Sequence, residues 1–404
     1  MKVLYIHQYF VTPQQPGGTR SYWIAQELIK RGHQVIMVTA AKKDNPDGGR
    51  MDIDGIDVIY VKTPGYNNYM SALQKLWAFV AFIRNAYNAA KKENGVDVVF
   101  ATSTPLTVGA IALKLKNNKK WKYVFEVRDL WPEFPIEIGA IKNKLAIKFL
   151  RKFEKRIYDE SEHVVALSPG MKEGVMKAGT PEDKISMIPN MAKPDKFFPH
   201  EKNLVVAEQF GIDTTKFNVI HFGSMGRANG LGYIIDAAKY LHEKGDDTIR
   251  FVFMGSGATE PIIKAKAEQY GLHNVQFFGN HKMDVVSEVV NLCDASITTF
   301  LNLPVLKTNS PNKLFDSLSA GIPIIVNSAG WTKDMVEQEQ CGFYVDVEHP
   351  EELAEKLLFY KDDKDTLELW GKNARRLSEE VYDKDILSAK VVDVIEKAMA
   401  TKGK

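Results

Sequence analysis

The sequence has few cysteines and almost no net charge, and each scarcity excludes a class of protein. Its 404 residues include only two cysteines, Cys293 and Cys341, which is too few for a disulfide framework and favours a reducing compartment. Lys and Arg number 53 against 51 Asp and Glu, so the formal net charge is +2. A dedicated nucleic-acid binder is usually far more basic, and we therefore expect no nucleic-acid partner.

Long apolar segments are also missing. The most apolar run covers residues 76–83 and is bounded by Lys75 and Arg84, whereas a membrane-spanning helix needs about twenty apolar residues. The chain passes from Met1-Lys2 directly into the apolar pattern that starts at Val3, without the regions typical of a signal peptide. These features predict a cytoplasmic protein.

The composition that remains is typical of a folded protein, with 45% hydrophobic and 26% charged residues, and the length favours two domains. Short apolar runs at 3–9, 34–39 and 123–127 alternate with helical patterns, and the same alternation starts again at 218–222. Such alternation predicts parallel sheets with helices on both faces. The fold class predicted is α/β, with two Rossmann-like doubly wound parallel-sheet domains facing a cleft.

A proline-containing segment at 188–194 separates the two halves and is typical of a hinge. We place the last strand of the first half at 164–167. The predicted domains are 1–190 and 191–375, followed by helices at 376–404.

Glycine-rich loops follow several of the predicted strands, where ligands of doubly wound sheets bind. Gly17, Gly18 and Arg20 lead into the first helix, whose N-terminus favours an anion, although a lone glycine pair is more often a flexible turn. The loop after 218–222 has three glycines and an arginine, which suits a diphosphate. Its spacing matches neither the Gly-x-Gly-x-x-Gly fingerprint nor a Gly-Lys-Ser/Thr phosphate loop. Its candidate residues are Gly223, Ser224, Arg227 and Asn229.

Three later loops continue the series. Gly255 and Gly257 follow the strand at 250–254, and the turn at Phe278-Gly279 could pass close to a flat base. A further helix opens at Asn312, Lys313 and Asp316, where the lysine could meet phosphate and the carboxylate could accept hydrogen bonds from a ribose diol. Taken singly, Lys313 or Asp316 is better explained as part of a solvated helix start. Lys313 and Asp316 become candidates for a binding site only when all these loops are considered in their order along the chain.

That order resembles the retaining glycosyltransferases of family 4, which have the GT-B fold, over nearly the whole chain. The loop Asp129-Leu130-Trp131-Pro132-Glu133 resembles bacterial polysaccharide enzymes, including those similar to fucosamine transferases. The other matching stretches are Ile6 to Phe10, Pro16 to Arg20, Val165 to Pro169, Ile188-Pro189-Asn190, Phe222 to Gly230, Phe253 to Gly257, Val275 to Gly279 and Lys313 to Pro323.

The resemblance implies a nucleotide-sugar donor, most simply a UDP-sugar, on the C-terminal domain and an acceptor on the N-terminal domain, with residues 376–404 crossing back to the first. It implies that Asp316 holds the donor ribose. The family's partner acid falls at Thr308, and its arginine and lysine fall at Ser224 and Asn229. Diphosphate charge is then left to Arg227, Lys313, Arg20 and backbone amides. The resemblance also implies no cofactor and no metal, and the chain has no His-Glu-x-x-His or Cys-x-x-Cys motif.

Arg128 and Asp129 follow the strand at 123–127 and, with Asp316, are the candidate catalytic residues. A carboxylate at this point could orient or deprotonate an acceptor hydroxyl. A structural ion pair between Arg128 and Asp129 accounts for the two residues equally well. In retaining enzymes of this fold the departing diphosphate is thought to help take the acceptor proton, so no dedicated nucleophile is required.

A basic strip at 142–156 predicts an amphipathic helix, with Leu145, Phe149, Phe153 and Ile157 on the face opposite the cations. Such a helix can lie on an anionic leaflet, and it can also be a surface helix that packs its apolar face on the sheet. The cations that form the candidate acceptor and membrane surface are Lys144, Lys148, Arg151, Lys152 and Lys155.

The function predicted is retaining transfer of a sugar, expected to be an N-acetylated hexose, from a UDP-sugar to a lipid-linked or saccharide acceptor in cell-surface polysaccharide biosynthesis. The enzyme is expected to be peripheral at the inner face of the plasma membrane. A UDP-sugar epimerase on the same fold is one alternative. A non-catalytic nucleotide-sugar-binding relative is another, and Thr308, Ser224 and Asn229 favour it.

Overall fold

A computed structural model describes residues 1–15, 17–42, 45–64, 72–103 and 105–400. The sequence pattern over residues 70–92 predicts a helix, and its start lies outside these residues, as does Pro16 of the first glycine loop. The chain forms two compact units. The N-terminal unit comprises Met1–Thr12, Gly18–Pro189 and Asp385–Lys404, and the C-terminal unit comprises Pro13–Gly17 and Asn190–Lys384.

The N-terminal unit contains an eight-stranded sheet in the order β3-β4-β2-β1-β5-β6-β7-β8. Its pairs are parallel except for β3 with β4. In the central register, Ile6 lies opposite both Val38 and Ala101. The strands are β1 (Lys2–Ile6), β2 (Gln34–Ala40), β3 (Gly49–Ile53), β4 (Ile56–Val61), β5 (Val98–Thr102), β6 (Lys122–Val127), β7 (His163–Ala166) and β8 (Ile185–Met187).

Two strands of this sheet differ from the prediction. The strand at 164–167 is not the last, because β8 pairs in parallel with β7 beyond it. The strand β3 was missed because its residues are mostly exposed and show no apolar alternation. The Asp54-Gly55 turn, with φ of 51° and 83°, is a hairpin signal that could have found it.

Helices lie along this sheet, and the strand β5 is buried along its whole length, as expected when both faces are covered. The side chain of Ser168 accepts a hydrogen bond from Met171 N at the start of α6, and that of Asn143 accepts from Leu145 N and Ala146 N at the start of α5. The helices are α1 (Arg20–Lys30), α2 (Ala72–Ala90), α3 (Val108–Lys119), α4 (Glu133–Glu137), α5 (Lys144–Glu160) and α6 (Pro169–Lys177).

The C-terminal unit contains a six-stranded, fully parallel sheet in the order β11-β10-β9-β12-β13-β14. The chain winds in one direction from β9 to β11 and in the other from β12 to β14. The carboxyl ends of β9 and β12 therefore flank the topological switch point, where doubly wound folds bind ligands. The strands are β9 (Phe217–Phe222), β10 (Ile249–Met254), β11 (Val275–Phe277), β12 (Ala295–Thr298), β13 (Ile324–Val326) and β14 (Gly342–Tyr344).

Alternate residues of these strands belong to two different hydrophobic clusters, one on each face of the sheet. Val219, Phe251 and Phe253 pack on one face, and Ile220 and Val252 pack on the other. The sheet is therefore a middle layer between helices. The helices are α7 (Leu204–Phe210), α8 (Gly232–Glu243), α9 (Glu260–Gln269), α10 (Met283–Leu292), α11 (Asn312–Ala320), α12 (Trp331–Gln338), α13 (Pro350–Tyr360) and α14 (Lys364–Glu380).

The last helix, α15 (Lys384–Ala400), falls almost entirely in the N-terminal unit. There Arg31 at the end of α1 pairs with Asp393 at 2.7 Å and with Glu396 at 3.0 Å. The ring of His33 lies 2.8 Å from Glu396 as well. Within the part of the chain that the structure describes, no helix combines the length and the apolar character needed to cross a membrane.

Candidate functional site

Two glycine-rich loops meet at the carboxyl ends of β9 and β10. Gly223 N donates to Met254 O at 2.8 Å, and Met225 N donates to Ser256 O at 2.9 Å. A Cβ on Gly255 would lie 1.9 Å from Gly223 O, and Gly255 has φ of 148°. A Cβ on Gly257 would lie 2.5 Å from Met225 O. Loop packing thus accounts for both of these glycines, whereas Gly223 is exposed at the end of the strand.

Lys313, in the first turn of α11, lies next to this loop. Its Nζ is 3.0 Å from His221 Nε2, and its Cε is 3.9 Å from the position of a Cβ on Gly223. Burial lowers the pKa of Lys313 to about 7. Burial, and then the charge of Lys313, hold the pKa of His221 well below its usual range, so the neutral ring accepts the hydrogen bond.

No carboxylate of the described residues lies within ion-pair distance of Lys313, although the residue is partly buried. A partly buried cation without a counter-ion is unfavourable, and an anion bound beside the loop would supply the missing charge. His221 was not among the candidate residues that the sequence indicated. Its position as the second-last residue of β9, four residues before Met225, was the signal that could have placed it here.

Asp316 lies one turn further along α11 and has a partner that sequence reasoning missed. Lys193 Nζ lies 2.6 Å from Asp316 Oδ1, and both side chains are almost fully buried. Burial raises the pKa of Asp316, and the charge and hydrogen bond of Lys193 oppose that rise. No local pattern in the sequence links a lysine in the segment after Asn190 to a carboxylate on α11.

Of the three departures from the family pattern, two lie in the loop after β9 and the third lies in the turn before α11. Asn229 Nδ2 donates to Ser224 O at 2.6 Å and so braces the loop. Thr308 Oγ1 donates to Val305 O at 2.7 Å. Arg227 is exposed and lines a cavity of about 650 Å³ beside α8 and α9, and Lys313 is not among the residues that line it. A contact of Arg227 with the diphosphate stays a prediction.

The remaining candidates on this unit are placed as follows. Asn312 is the first residue of α11, and Gly279 has φ of 72° in the turn after β11. The ring of Phe278 packs edge-on against Phe210, with centroids 5.2 Å apart, and belongs to the margin of the core. The predicted contact between the Phe278-Gly279 turn and a nucleotide base would therefore involve the backbone of the turn, and it stays a prediction.

Arg20 does not fit the role of a phosphate ligand. Its guanidinium is buried within the N-terminal unit, with Nε 2.8 Å from Glu126 Oε1. It also donates to the carbonyl oxygens of Pro189 and Ile188, the latter at 3.1 Å. These partners occupy the guanidinium, and its charge is neutralised by Glu126. Gly17 and Gly18 lie in the loop before α1, and Gly17 has φ of 134°.

Polar side chains gather at the carboxyl edge of the N-terminal sheet. Ser103 Oγ accepts a hydrogen bond from Arg128 N at 2.9 Å, after β5 and β6. His7 Nδ1, after β1, lies 2.9 Å from Ser21 Oγ. Burial and then the charge of Arg128 hold the pKa of His7 well below its usual range. Arg128 is thus close to His7, which was not among the sequence candidates, and Asp129, the next residue, is half-buried.

The basic strip on α5 is exposed, but its apolar row is not on the opposite face. Leu145 is 79% exposed and Phe149 is 68% exposed, whereas Ile157 is buried. Residues four apart on a helix drift by about 40° per step, since four residues turn through about 400°. The row therefore winds from the solvent side at Leu145 to the buried side at Ile157, and the predicted packing of the whole row is wrong.

The exposed part of α5 therefore mixes apolar side chains with cations. Two of these cations have acidic neighbours, since Arg151 pairs with Glu133 at 2.9 Å and Lys155 pairs with Asp159 at 3.0 Å. The predicted surface cations Lys144, Lys148, Arg151, Lys152 and Lys155 are all exposed, and so is Arg156. Among the described residues, no group of three or more His, Cys, Asp or Glu side chains is arranged to hold a metal ion.

Comparison with known proteins bears on both units. Residues 17–191 match the model of the glycosyl transferase 4-like domain, and residues 205–377 match that of glycosyl transferases group 1. An uncharacterized glycosyltransferase of Methanocaldococcus jannaschii, MJ1607, is 24% identical over 94% of each chain. The alpha-galactosylglucosyldiacylglycerol synthase of Streptococcus pneumoniae is 24% identical over 62% of this chain and 65% of its own length.

The structure of Anabaena HepE in complex with UDP and glucose matches 98% of this chain and 99% of its own, with a TM-score of 0.74 and 14% identity. That likeness shows the fold, which is GT-B. The similarity to fucosamine transferases is not specifically supported by these matches. The two matched segments together span most of the sequence, and the chain contains a glycosyl transferase 4-like domain followed by a glycosyl transferases group 1 domain.

Proposed function

We propose that the protein transfers a sugar, an N-acetylated hexose, from a UDP-sugar to a lipid-linked or saccharide acceptor with retention of configuration. The observation that carries the proposal is the ammonium of Lys313. It lies partly buried beside the glycine loop at the switch point of the C-terminal sheet, with His221 as its hydrogen-bond partner and no carboxylate of the described residues in ion-pair distance. This is an arrangement suited to the diphosphate of a donor.

The reaction needs positioning and charge stabilisation more than a nucleophile. As the bond from the sugar to the diphosphate breaks, negative charge grows on the leaving oxygen, and Lys313 stabilises it. The acceptor oxygen forms the new bond on the same face, and its proton passes to the departing diphosphate. Arg128 and Asp129 orient the acceptor hydroxyl in this proposal. No metal ion or cofactor takes part.

The relatives support the identity of the two substrates. The HepE structure holds UDP and glucose, which supports a UDP-linked donor, and the ribose of that donor is assigned to Asp316. The pneumococcal relative is named as a synthase of a glycosyl diacylglycerol, which supports a lipid acceptor. We assign the polysaccharide pathway from the resemblance of the Asp129 loop.

Ligand binding is tested first by thermal unfolding with UDP, ADP or GDP. A nucleotide at 100 times its Kd stabilises the folded state by about 2.7 kcal/mol, which raises the Tm of a domain of this size by roughly 5–10 °C. We expect this rise with UDP and a smaller one with ADP and GDP. A larger rise with GDP or ADP would contradict the UDP assignment.

The reaction class is tested with UDP-N-acetylhexoses, with and without lipid-linked saccharide acceptors. Transfer that requires an acceptor supports the proposal. Formation of a new UDP-sugar from the donor alone identifies an epimerase, and tight UDP binding without turnover identifies a non-catalytic relative.

We assign the exposed face of α5 to an anionic membrane surface, which makes the enzyme peripheral at the inner leaflet. Each lysine or arginine near such a surface contributes about 1 kcal/mol to the free energy of membrane binding. Apolar side chains between the cations strengthen binding further by inserting among the lipids. Leu145 and Phe149 are exposed apolar side chains among these cations and are therefore placed to insert into the leaflet.

The double variant Lys148→Glu/Lys152→Glu should bind vesicles of anionic lipid at least about thirtyfold more weakly, because two favourable charges of about 1 kcal/mol each are lost. Cosedimentation with vesicles measures this effect. Lys364→Glu/Lys372→Glu makes the same change in charge on exposed positions of α14 and should bind like the parent protein. Equal loss in both double variants would show that only net charge matters.

A further inference from the structure

The segment that opens the C-terminal unit runs along α11 from one end to the other. Asn190 N donates to Ser310 Oγ at 3.1 Å, and the side-chain amide of Asn190 donates to Ser310 O, just before the helix. Lys193 N donates to Ser319 Oγ, in the last turn of α11, at 2.8 Å. Segment and helix are therefore held together at two points.

Arg375 of α14 closes the far end of this contact. Its Nη1 donates to the carbonyl oxygens of Pro194, Phe197 and Ser319, at 3.2, 3.0 and 2.6 Å. The backbone on both sides of Lys193 is thereby fixed, and its side chain extends to Asp316 Oδ1 at 2.6 Å with the ring of Phe197 5.8 Å away. The position of the ammonium is set by the fold and not by a flexible surface chain.

Lys193 is the one described residue that pairs with Asp316. It engages Oδ1, and no described residue hydrogen bonds to Oδ2. A carboxylate held in this way has one oxygen neutralised by a cation and a second oxygen available as an acceptor. That second oxygen is what the hydroxyl groups of a ribose require.

We propose that Lys193 is a positioning residue for donor binding, which fixes the orientation and the ionised state of the Asp316 carboxylate that receives the ribose hydroxyls. The inference rests on the proposed function, in which Asp316 contacts the donor ribose. It adds the contact that favours the charged form of a carboxylate buried on α11.

The electrostatics around Asp316 support this role. Burial raises the pKa of its carboxyl, and Lys193 opposes the rise. The other cations on neighbouring turns and elements are engaged elsewhere, because Lys313 contacts His221 and Arg375 donates to backbone carbonyls and to Glu379. Without Lys193 the carboxyl would take up a proton at a higher pH and lose an acceptor site.

The test measures how strongly the protein prefers UDP over 2′,3′-dideoxy-UDP, which lacks both ribose hydroxyls, by calorimetry. A hydrogen bond to a charged group corresponds to a preference of about tenfold or more. We expect the parent protein to show it, Asp316→Asn to lose it, and Lys193→Met to reduce it to within about twofold of unity. Lys196→Met, an exposed lysine of the same segment, should keep it in full. In the Asp316→Asn background, Lys193→Met should have no additional effect.

The failures are distinguishable. If Asp316→Asn keeps the preference, the assignment of Asp316 to the ribose fails, and the inference fails with it. If Asp316→Asn loses the preference and Lys193→Met keeps it, Lys193 is structural and only the inference is overturned.

Should Lys193→Met not fold, Lys193→Gln keeps a hydrogen-bond donor but removes the charge. Its preference for UDP should then fall away at a higher pH than in the parent protein, because the carboxyl takes up a proton more readily without the charge of Lys193. A preference with the same pH dependence in this variant and in the parent protein would overturn the inference.

Discussion

Replacing Lys313 by Met should lower the rate of sugar transfer by about 100- to 1,000-fold, the effect of removing one preorganised donor to developing charge. The ammonium is the cation that lies beside the loop after β9, and Met fills the same space without charge. Steady-state kinetics with a UDP-sugar measure the loss. Lys307→Met, an exposed lysine in the preceding turn, is the matched control and should retain near-parental rates.

The same variant should nevertheless be more stable than the parent protein. Burial lowers the pKa of Lys313 to about 7, below the value of an unfolded lysine, so the folded state disfavours its charged form. This cost is fully present below pH 7 and disappears as the pH rises towards the unfolded pKa of about 10.4, because the unfolded chain binds the extra proton. The Tm of Lys313→Met at pH 6 should exceed that of the parent protein.

The titration of Lys313 should also affect UDP binding, which should weaken as the pH rises, whereas the folded protein becomes more stable. Above pH 7 the free lysine is neutral and must take up a proton to meet the diphosphate, so the Kd for UDP should rise by up to about tenfold per pH unit. In Lys313→Met this dependence should be absent. A variant that transfers sugar at the parental rate, or that keeps the parental pH dependence, would contradict the placement of the diphosphate.

Replacing Gly255 by Ala should destabilise the C-terminal unit by about 3–5 kcal/mol and abolish UDP binding. The added Cβ would lie 1.9 Å from Gly223 O, which is a backbone atom and cannot rotate away. The φ of 148° is also one that residues with a side chain rarely adopt. Relief requires the two loops to separate, which moves Gly223 away from Lys313. Thermal unfolding and UDP calorimetry measure the two effects.

Gly271→Ala provides the comparison for this variant. Gly271 also has a positive φ, at 64°, but a Cβ there meets nothing within 4 Å. It should cost about 1 kcal/mol, the price of the left-handed backbone, and leave UDP binding intact. If Gly255→Ala behaves in the same way, the close packing of the two loops is not essential to the site.

Much of each sheet was predictable because parallel strands covered on both faces are apolar along their whole length. The strand at 218–222 and its glycine loop were found in this way, and the structure places β9 at Phe217–Phe222. The strand β3 escaped because it is an exposed edge, where apolar alternation is not required. The short strand β14 was missed as well, since three residues carry too little pattern.

Within the candidate site, chain order pointed to charged residues at helix starts after glycine loops, whereas the partner of each such residue could not be predicted. Lys313 was identified from its place at a helix start after a series of glycine loops, and it lies beside Gly223. Arg20 was assigned to phosphate by the same reasoning, but Glu126 neutralises it. The local sequence does not show that Arg20 is ion-paired and Lys313 is not, because both residues are cations at the first turn of a helix.

The sequence by itself determined the order of strands, helices and glycine loops, and with it the α/β class and the edge of each sheet where ligands bind. It did so because apolar periodicity and turn chemistry act over a few residues. Only the tertiary structure decided which charges are neutralised, with Glu126 at Arg20, Lys193 at Asp316 and no carboxylate of the described residues at Lys313. An ion pair forms or fails over a few ångströms between residues far apart in the chain, and packing alone sets that distance.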